Sequence, residues 1–267
     1  MTFAPVLPAR GIAGLAFLDR TMPRQRAAHD DQPALRRDEA YFRETIGTIR
    51  TAEALVADRR LLRVALTAFG LEGDIDSRFF IRKVLEEGTL TPGALANRLA
   101  DKRYRALAAA FGFGDFPIPS TQISDFADRI LGPWKTRRFE AAVGMQDESL
   151  RLALNARREL PELAAREMGE DARWFTLMGN PPLRRVVETA LGLPKAFGAL
   201  DIDRQLAVFK DRARSTLGTA DAAGLADPSR LDQLIRRFLL RAEAAGGSPA
   251  GGAGSPALML LQAAQRR

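Results

Sequence analysis

Two Asp-Ile-Asp triplets are the residues best suited by type and spacing to carry chemistry: Asp74-Ile75-Asp76 and Asp201-Ile202-Asp203. Paired carboxylates can bind a divalent cation. A calcium loop also needs spaced oxygen ligands, a glycine and a terminal glutamate, and neither triplet has them. Aspartate is equally suited to a helix start, where it accepts backbone N–H groups at the positive end of the helix dipole. We therefore interpret both triplets as helix starts.

The other candidate residues do not form a recognisable catalytic set. The acidic pairs Glu86–Glu87 and Asp147–Glu148 fall on helix surfaces that we expect to face solvent. His29 is the only histidine and cysteine is absent, which excludes a His-based catalytic pair and a Cys/His metal cluster. We expect His29 to be exposed and without a role. The sequence thus predicts no catalytic residue, no cofactor-binding residue, no cofactor and no metal ligand.

The composition favours an all-α fold. The chain has 267 residues, 46% of them hydrophobic, which suffices for a sizeable core. Leucine, alanine, arginine and glutamate are helix formers and outnumber the β-branched residues typical of strands. The net charge of +7 raises an arginine-mediated nucleic-acid binder as an alternative function. Because the arginines are scattered among acidic residues and form no basic tract, no nucleic-acid partner is expected.

The hydropathy pattern contains no membrane-spanning segment. The one uncharged run of spanning length, residues 244–265, is broken by glycine, serine and proline. The N-terminus lacks a basic region before a long apolar one, so no secretory signal is indicated. We expect a cytoplasmic protein without membrane insertion.

Start and stop signals divide the chain into three parts. Residues 1–37 are punctuated by proline and are predicted to be irregular. Residues 38–245 are predicted to form an all-helical domain, beginning with a helix over about 38–50 capped by Asp38. Further helix starts are expected at Thr91-Pro92 and Pro161, and a break near Gly132-Pro133. Residues 246–267 are predicted to be a flexible linker and a short C-terminal segment.

Two stretches of the chain match each other. Leu61–Gly88 reads as a pair of helices joined by Gly70, a residue suited to the left-handed conformation after a helix end. Leu183–Gly218 repeats its Gly-Leu step without a gap and then its Asp-Ile-Asp triplet. We therefore predict an internal duplication, with related helical units at about 61–111 and 183–245 joined by longer helices.

Several segments of the chain resemble an uncharacterised, all-helical domain-of-unknown-function family of alphaproteobacteria. Residues 55–88 carry the resemblance most clearly, as LVADRRLLRVALTAFGLEGDIDSRFFIRKVLEEG, and residues 94–116 and 174–194 continue it. The resemblance covers most of the chain but brings no functional residues with it. Members of this family are often encoded among flagellar genes, so the resemblance implies a flagellum-associated role. It also implies export by the flagellar apparatus as the alternative to a cytoplasmic location.

Two function classes remain besides nucleic-acid binding. The favoured hypothesis is a non-enzymatic protein-binding or assembly protein, flagellum-associated, whose partner would be a flagellar component. The alternative is an enzyme or small-molecule binder with a cleft between the two helical units. A polar pocket with convergent carboxylates or arginines would support the alternative, whereas a solid interface between the units would count against it. The sequence leaves the oligomeric state open.

Overall fold

The computed structural model describes residues 3–246, which form helices joined by turns and loops, with no strand in that range. The all-α prediction is confirmed. No helix of this range is both long enough and apolar enough to cross a bilayer. Apart from Gly246, the predicted linker and C-terminal segment lie outside the described residues. The α-helices are α1 (Gly11–Asp30), α2 (Pro33–Thr45), α3 (Ala52–Ala57), α4 (Arg59–Phe69), α5 (Arg78–Glu87), α6 (Leu95–Arg98), α7 (Arg103–Phe111), α8 (Phe126–Gly144), α9 (Glu148–Ala164), α10 (Glu170–Met178), α11 (Pro181–Leu191), α12 (Ile202–Leu217) and α13 (Pro228–Gly246).

The prediction of an irregular segment over residues 1–37 is wrong, because α1 and the start of α2 occupy most of it. Leu15 and Leu18 of α1 are buried in the core, so tertiary packing stabilises a helix that contains Pro23. Gln25 also holds the irregular segment before α1 in place, because its side chain accepts a hydrogen bond from the Val6 N–H at 2.7 Å. The N-cap of α2 is Gln32 with proline at the first position, not Asp38.

α4 and α11 begin and end in the same way. Asp58 and Asn180 cap their first turns through side-chain oxygens. Gly70 and Gly192 end them in the left-handed region, both with φ of 71°. The next residue in each case donates its N–H back into the helix, Leu71 to the Leu66 carbonyl and Leu193 to the Glu188 carbonyl, both at 2.9 Å. These matches support the duplication, which stays a prediction.

In the comparison of the two units, α8 takes the position that corresponds to α13. α4 packs extensively on α8, and α11 on α13. Arg137 of α8 donates from Nε to the Ala68 carbonyl at 3.1 Å. Arg237 of α13 donates to the corresponding Ala190 carbonyl at 3.3 Å. If the two units are related, the first extends through α8 rather than ending at residue 111.

Three proline signals were interpreted wrongly because tertiary contacts outweigh them. Pro133 and Pro161 lie inside α8 and α9, so the predicted break and the predicted new helix are both absent. α8 continues because Leu131 before Pro133 and Trp134 after it are both buried. Thr91-Pro92 starts no helix. The turn before it is held by Asp115, whose carboxylate accepts the Leu90 N–H at 3.0 Å.

The buried apolar side chains form two main cores that meet along α8. The first contains residues of α2–α5 and α7 together with the start of α8, ending at Trp134. The second contains residues of α1 and α9–α13 together with the end of α8, beginning at Phe139. We refer to the elements around these cores as the first and second halves. Residues 135–138 of α8 therefore lie at the junction between them.

Candidate functional site

The two Asp-Ile-Asp triplets have different roles. Asp201 caps α12 by accepting the N–H groups of Asp203 and Arg204 at 3.1 and 3.0 Å, as predicted. The first triplet caps nothing, because α5 begins at Arg78 without a side-chain cap. Asp74 instead accepts the Tyr104 hydroxyl at 2.8 Å. No group of three or more potential metal ligands occurs within residues 3–246.

The expectation of an exposed His29 is wrong. Its side chain is buried, with ring centroids of Phe3 and Phe139 at 6.1 and 5.6 Å. Its Nδ1 lies 3.0 Å from the Asp30 carboxylate. His29 therefore belongs to the packing of α1 on α8.

A cleft lies between the two halves and has two adjoining parts. The first part, the polar chamber, is a cavity of about 400 Å³. Its charged lining consists of Asp101, Lys102, Arg103, Arg137, Arg158, Glu159, Glu162 and Arg166. The second part, the apolar groove, has a volume of about 790 Å³ and is lined by Leu99, Met168, Phe175, Met178 and Ile202, by several alanines, and by five basic residues. Lys102, Ala106, Arg166 and Thr176 line both parts.

The polar chamber is built around a buried carboxylate that two arginines share. Glu159 of α9 accepts hydrogen bonds from Arg137 of α8 and from Arg158 Nη1, the latter at 2.7 Å. Arg158 also makes a bidentate pair with Glu140, both contacts at 3.0 Å. Arg103 pairs with Asp101 and donates to the Gly70 carbonyl. The pairs of Arg137 and Arg158 join α8 to α9. The bonds of Arg137 and Arg103 to the Ala68 and Gly70 carbonyls attach α8 and α7 to the end of α4.

The electrostatics of the chamber keep Glu159 ionised. Burial alone would raise the pKa of Glu159, but the positive charges of Arg137 and Arg158 and their hydrogen bonds outweigh it, so the pKa is lowered. Glu162 has no cation within ion-pair distance among the described residues. Partial burial, and then the Glu159 carboxylate, raise the pKa of Glu162. Glu162 is therefore the one chamber carboxylate whose charge is opposed by its surroundings.

The walls of the apolar groove are one face of α7 with its N-cap Lys102 and one face of α10 with its C-cap Gly179. From the first half come Lys102, Arg105, Ala106 and Ala109, and from the second Ala172, Phe175, Thr176 and Gly179. Both sets have the i, i+3, i+4, i+7 spacing of a single helix face. At its base the backbones meet closely, since a Cβ added to Gly179 would lie 2.3 Å from the Ala100 carbonyl oxygen. Glycine is therefore required at this junction.

The groove combines exposed apolar side chains with basic ones. Phe175 is 37% exposed and Ile202 49% exposed. The five basic residues of its lining are Arg98, Lys102, Arg105, Arg166 and Arg184, and no carboxylate lines it. Among residues 3–246 only Arg184 of these five has an ion-pair partner, Glu188 at 2.6 Å. The other four have no carboxylate within ion-pair distance in that range.

Sequence reasoning missed this surface. Of the two aromatic residues in 174–178, only Trp174 is stacked in the core, with its ring 5.5 Å from that of Phe209. Helical periodicity could have predicted the exposure of Phe175. Trp174, Leu177 and Met178 share one helix face and are buried, whereas Phe175 lies off that face. The basic residues carry no comparable signal, because they come from four separate segments.

Comparisons with known proteins identify a family but no activity. The family model described as "Protein of unknown function (DUF1217)" matches residues 68–231. The X-ray crystal structure of protein AGR_C_984 from Agrobacterium tumefaciens is similar, with a TM-score of 0.73 and 25% identity over 92% of this chain and 100% of that one. No curated protein matches the chain significantly. The resemblance to a domain of unknown function with an alphaproteobacterial relative is thus supported, while the flagellar setting is not addressed. The chain belongs to the DUF1217 family.

Proposed function

We propose that the protein is a non-enzymatic protein-binding or assembly protein, associated with the flagellum, and that it binds its partner through the apolar groove. The observation that carries this proposal is the exposed pair Phe175 and Ile202 beside four basic residues that have no ion-pair partner within residues 3–246. Apolar surface that is rimmed by polar groups is typical of interaction sites, because covering it removes apolar area from water. The basic rim supplies orientation and attraction to an acidic partner.

The polar chamber supports the non-enzymatic part of the proposal. A general acid or base at neutral pH needs a pKa near that pH, and Glu159 is held well below it by two arginines. Arg103, Arg137 and Arg158 are bonded to Asp101, Glu159 and Glu140. These groups are engaged with one another, so we assign them to holding the two halves together.

The flagellar part of the proposal rests on the family resemblance and is tested directly in cells. The tagged full-length chain is purified from a motile alphaproteobacterium that encodes it, and co-purifying proteins are identified by mass spectrometry. We expect at least one flagellar component with the wild type and its loss with Phe175→Asp. The matched control is Phe79→Asp, because Phe79 is 73% exposed and lies outside the groove. Recovery of no flagellar component, together with normal motility of a deletion strain, would refute the proposal.

A specific observation favours the alternative of a small-molecule binder. The chamber lies between the two halves, holds convergent arginines and carboxylates, and has a volume of about 400 Å³, within the usual range of ligand sites. Thermal unfolding with succinate or inorganic phosphate tests this alternative. A rise in Tm that Arg166→Gln abolishes would support ligand binding. An unchanged Tm with both probes would leave the chamber as a purely structural ion-pair network.

A further inference from the structure

We infer that the apolar groove receives an acidic amphipathic α-helix of the partner protein, laid between α7 and α10. The inference rests on the proposed protein-binding function and specifies the chemistry of the partner. Three features of the described residues carry it: the shape of the walls, the apolar side chains between them, and the sign of the charge on both rims.

The shape of the groove fits a helix. Its two walls are single faces of α7 and α10, each presented over two helical turns. Ala106 and Ala109 on one wall and Ala172 on the other have short side chains, and Ala109 and Ala172 are exposed to solvent. Short side chains on facing helices leave room for a third helix, because packed helix axes lie about 8–10 Å apart. An amphipathic helix in a groove of this kind contributes apolar residues at i, i+3, i+4 and i+7.

The apolar side chains of the groove provide the contact for that stripe. Phe175 and Ile202 are exposed at the groove, and Leu99 and Met168 are half-buried beside them. Aromatic and methionine side chains are enriched at the centres of protein interfaces. A partner side chain seated on Phe175 would therefore remove apolar surface of both proteins from water.

The charge of the groove selects an acidic partner helix. Arg98, Lys102 and Arg105 lie on the first-half rim, and Arg166 lies on the opposite one. None of these four has a carboxylate within 4 Å among residues 3–246, and Lys102 donates only to the Asn97 and Leu99 carbonyls. When the apolar stripe of a bound helix faces the groove, the residues on either side of that stripe lie beside the basic residues of the two groove edges. Glutamate or aspartate at those positions would neutralise the four cations, whereas lysine would be repelled.

The test selects the partner chemistry from a library rather than assuming it. A phage library of random 16-residue peptides is panned on the full-length protein and counter-selected on Phe175→Asp. We expect the enriched peptides to carry a net negative charge and apolar residues at helical spacing. A fluorescent copy of one such peptide is then titrated by anisotropy against the wild type and the variants.

The variants separate charge, apolar contact and general surface effects. Phe175→Asp and the double variant Arg98→Glu/Arg105→Glu should each weaken binding at least about tenfold. Phe79→Asp and Arg129→Glu/Arg138→Glu change exposed residues outside the groove and should alter it less than about twofold. A copy of the peptide with lysine in place of its acidic residues should prefer Arg98→Glu/Arg105→Glu over the wild type. Circular dichroism checks that every variant is folded.

Several outcomes would overturn the inference. They are the absence of groove-dependent peptides, enrichment of basic or proline-rich ones, and groove-dependent binding to phosphatidylglycerol vesicles in place of peptides. The peptide experiment and the cellular experiment can fail independently of each other. If a flagellar component still co-purifies with Phe175→Asp, the flagellar role stands and the groove assignment fails. If acidic helices bind the groove but no flagellar component is recovered, the reverse holds.

Discussion

Both parts of the cleft are lined by basic residues, but they differ in whether carboxylates pair with those residues. In the polar chamber, Arg137 and Arg158 share the buried Glu159 carboxylate, and Arg103 pairs with Asp101. In the apolar groove, four of the five basic residues have no ion-pair partner among residues 3–246. Lys102 and Arg166 line both parts, so the paired and unpaired charges belong to one continuous surface.

This difference distinguishes charges that stabilise the fold from charges that remain available to bind a partner. A buried charge must be paired, because leaving it unpaired in a medium of low polarity costs several kcal/mol. An exposed arginine is solvated, so it can stay unpaired until a partner approaches. The chamber is therefore expected to determine stability, and the groove to determine binding.

The largest effect is expected from Glu159→Gln in the chamber. The substitution leaves Arg137 without its carboxylate and Arg158 with Glu140 alone, so the free energy of unfolding should fall by about 3 kcal/mol. Urea denaturation measures it. Glu148→Gln is the matched control, because Glu148 forms an exposed pair with Arg151 and its loss should cost less than about 1 kcal/mol. Equal effects of the two substitutions would contradict a structural role for the chamber.

The same variant makes a prediction about pH. Because the folded state lowers the pKa of Glu159, its contribution is complete above about pH 4.5, the ordinary glutamate value. The contribution disappears as the pH falls through the lowered folded-state pKa. The difference between the wild type and Glu159→Gln should therefore be constant from about pH 7 to about pH 5 and shrink below about pH 4.5. A difference that grows in acid would show that the carboxylate is not ionised in the folded protein.

Gly70→Ala and Gly192→Ala compare the chamber with an equivalent position outside it. Both glycines have φ of 71°, where alanine costs about 1–2 kcal/mol. A Cβ at Gly70 would also lie 2.7 Å from Arg137 Nη1, within the chamber network. A Cβ at Gly192 would meet only the exposed Arg241, which can move away. Thermal unfolding should rank Gly70→Ala as the more destabilising, and equal Tm losses would mean that Arg137 is not held firmly.

The groove should tolerate charge reversal without loss of stability. Arg98→Glu/Arg105→Glu removes no ion pair, so the free energy of unfolding should change by less than about 0.5 kcal/mol. Urea denaturation beside Glu159→Gln checks this expectation. A loss above about 2 kcal/mol would place these arginines in the same structural class as those of the chamber, and the contrast between the two parts would disappear.

The smallest effect is expected from Glu162→Gln, and its sign is stabilising. Burial and the neighbouring Glu159 raise the pKa of Glu162, so its ionised form destabilises the folded state at neutral pH. Because solvent still reaches Glu162 and screens its charge, the gain at about pH 7 should be only a few tenths of a kcal/mol. The penalty in the wild type is relieved as the pH falls through the raised pKa, so the gain should vanish below about pH 4.5. If Glu162→Gln were instead less stable than the wild type, the Glu162 carboxylate would have to accept a stabilising hydrogen bond in the folded state.

The contrast also explains which parts of the cleft were predictable. Gly70 was expected to end a helix in the left-handed region, and it does so. The N–H groups of Gly70 and Leu71 both donate to the Leu66 carbonyl, so this helix end depends only on residues close in sequence. Glu159 and Arg137 were not expected to meet. They are 22 residues apart on different helices, and neither has a sequence neighbour that indicates the other. A cleft lies between the two halves, but the sequence did not indicate which charged residues line it.

The all-α class, the glycine ends of α4 and α11 and the Asp201 cap were determined by the sequence, since each depends on interactions within a single turn. Tertiary structure decided that residues 11–30 are helical, that Pro133 and Pro161 lie inside helices, and that His29 is buried. It also decided which positive charges are paired. Burial against distant helices outweighs a proline or a weak local propensity, and the partner of a charged side chain depends on how whole helices are packed.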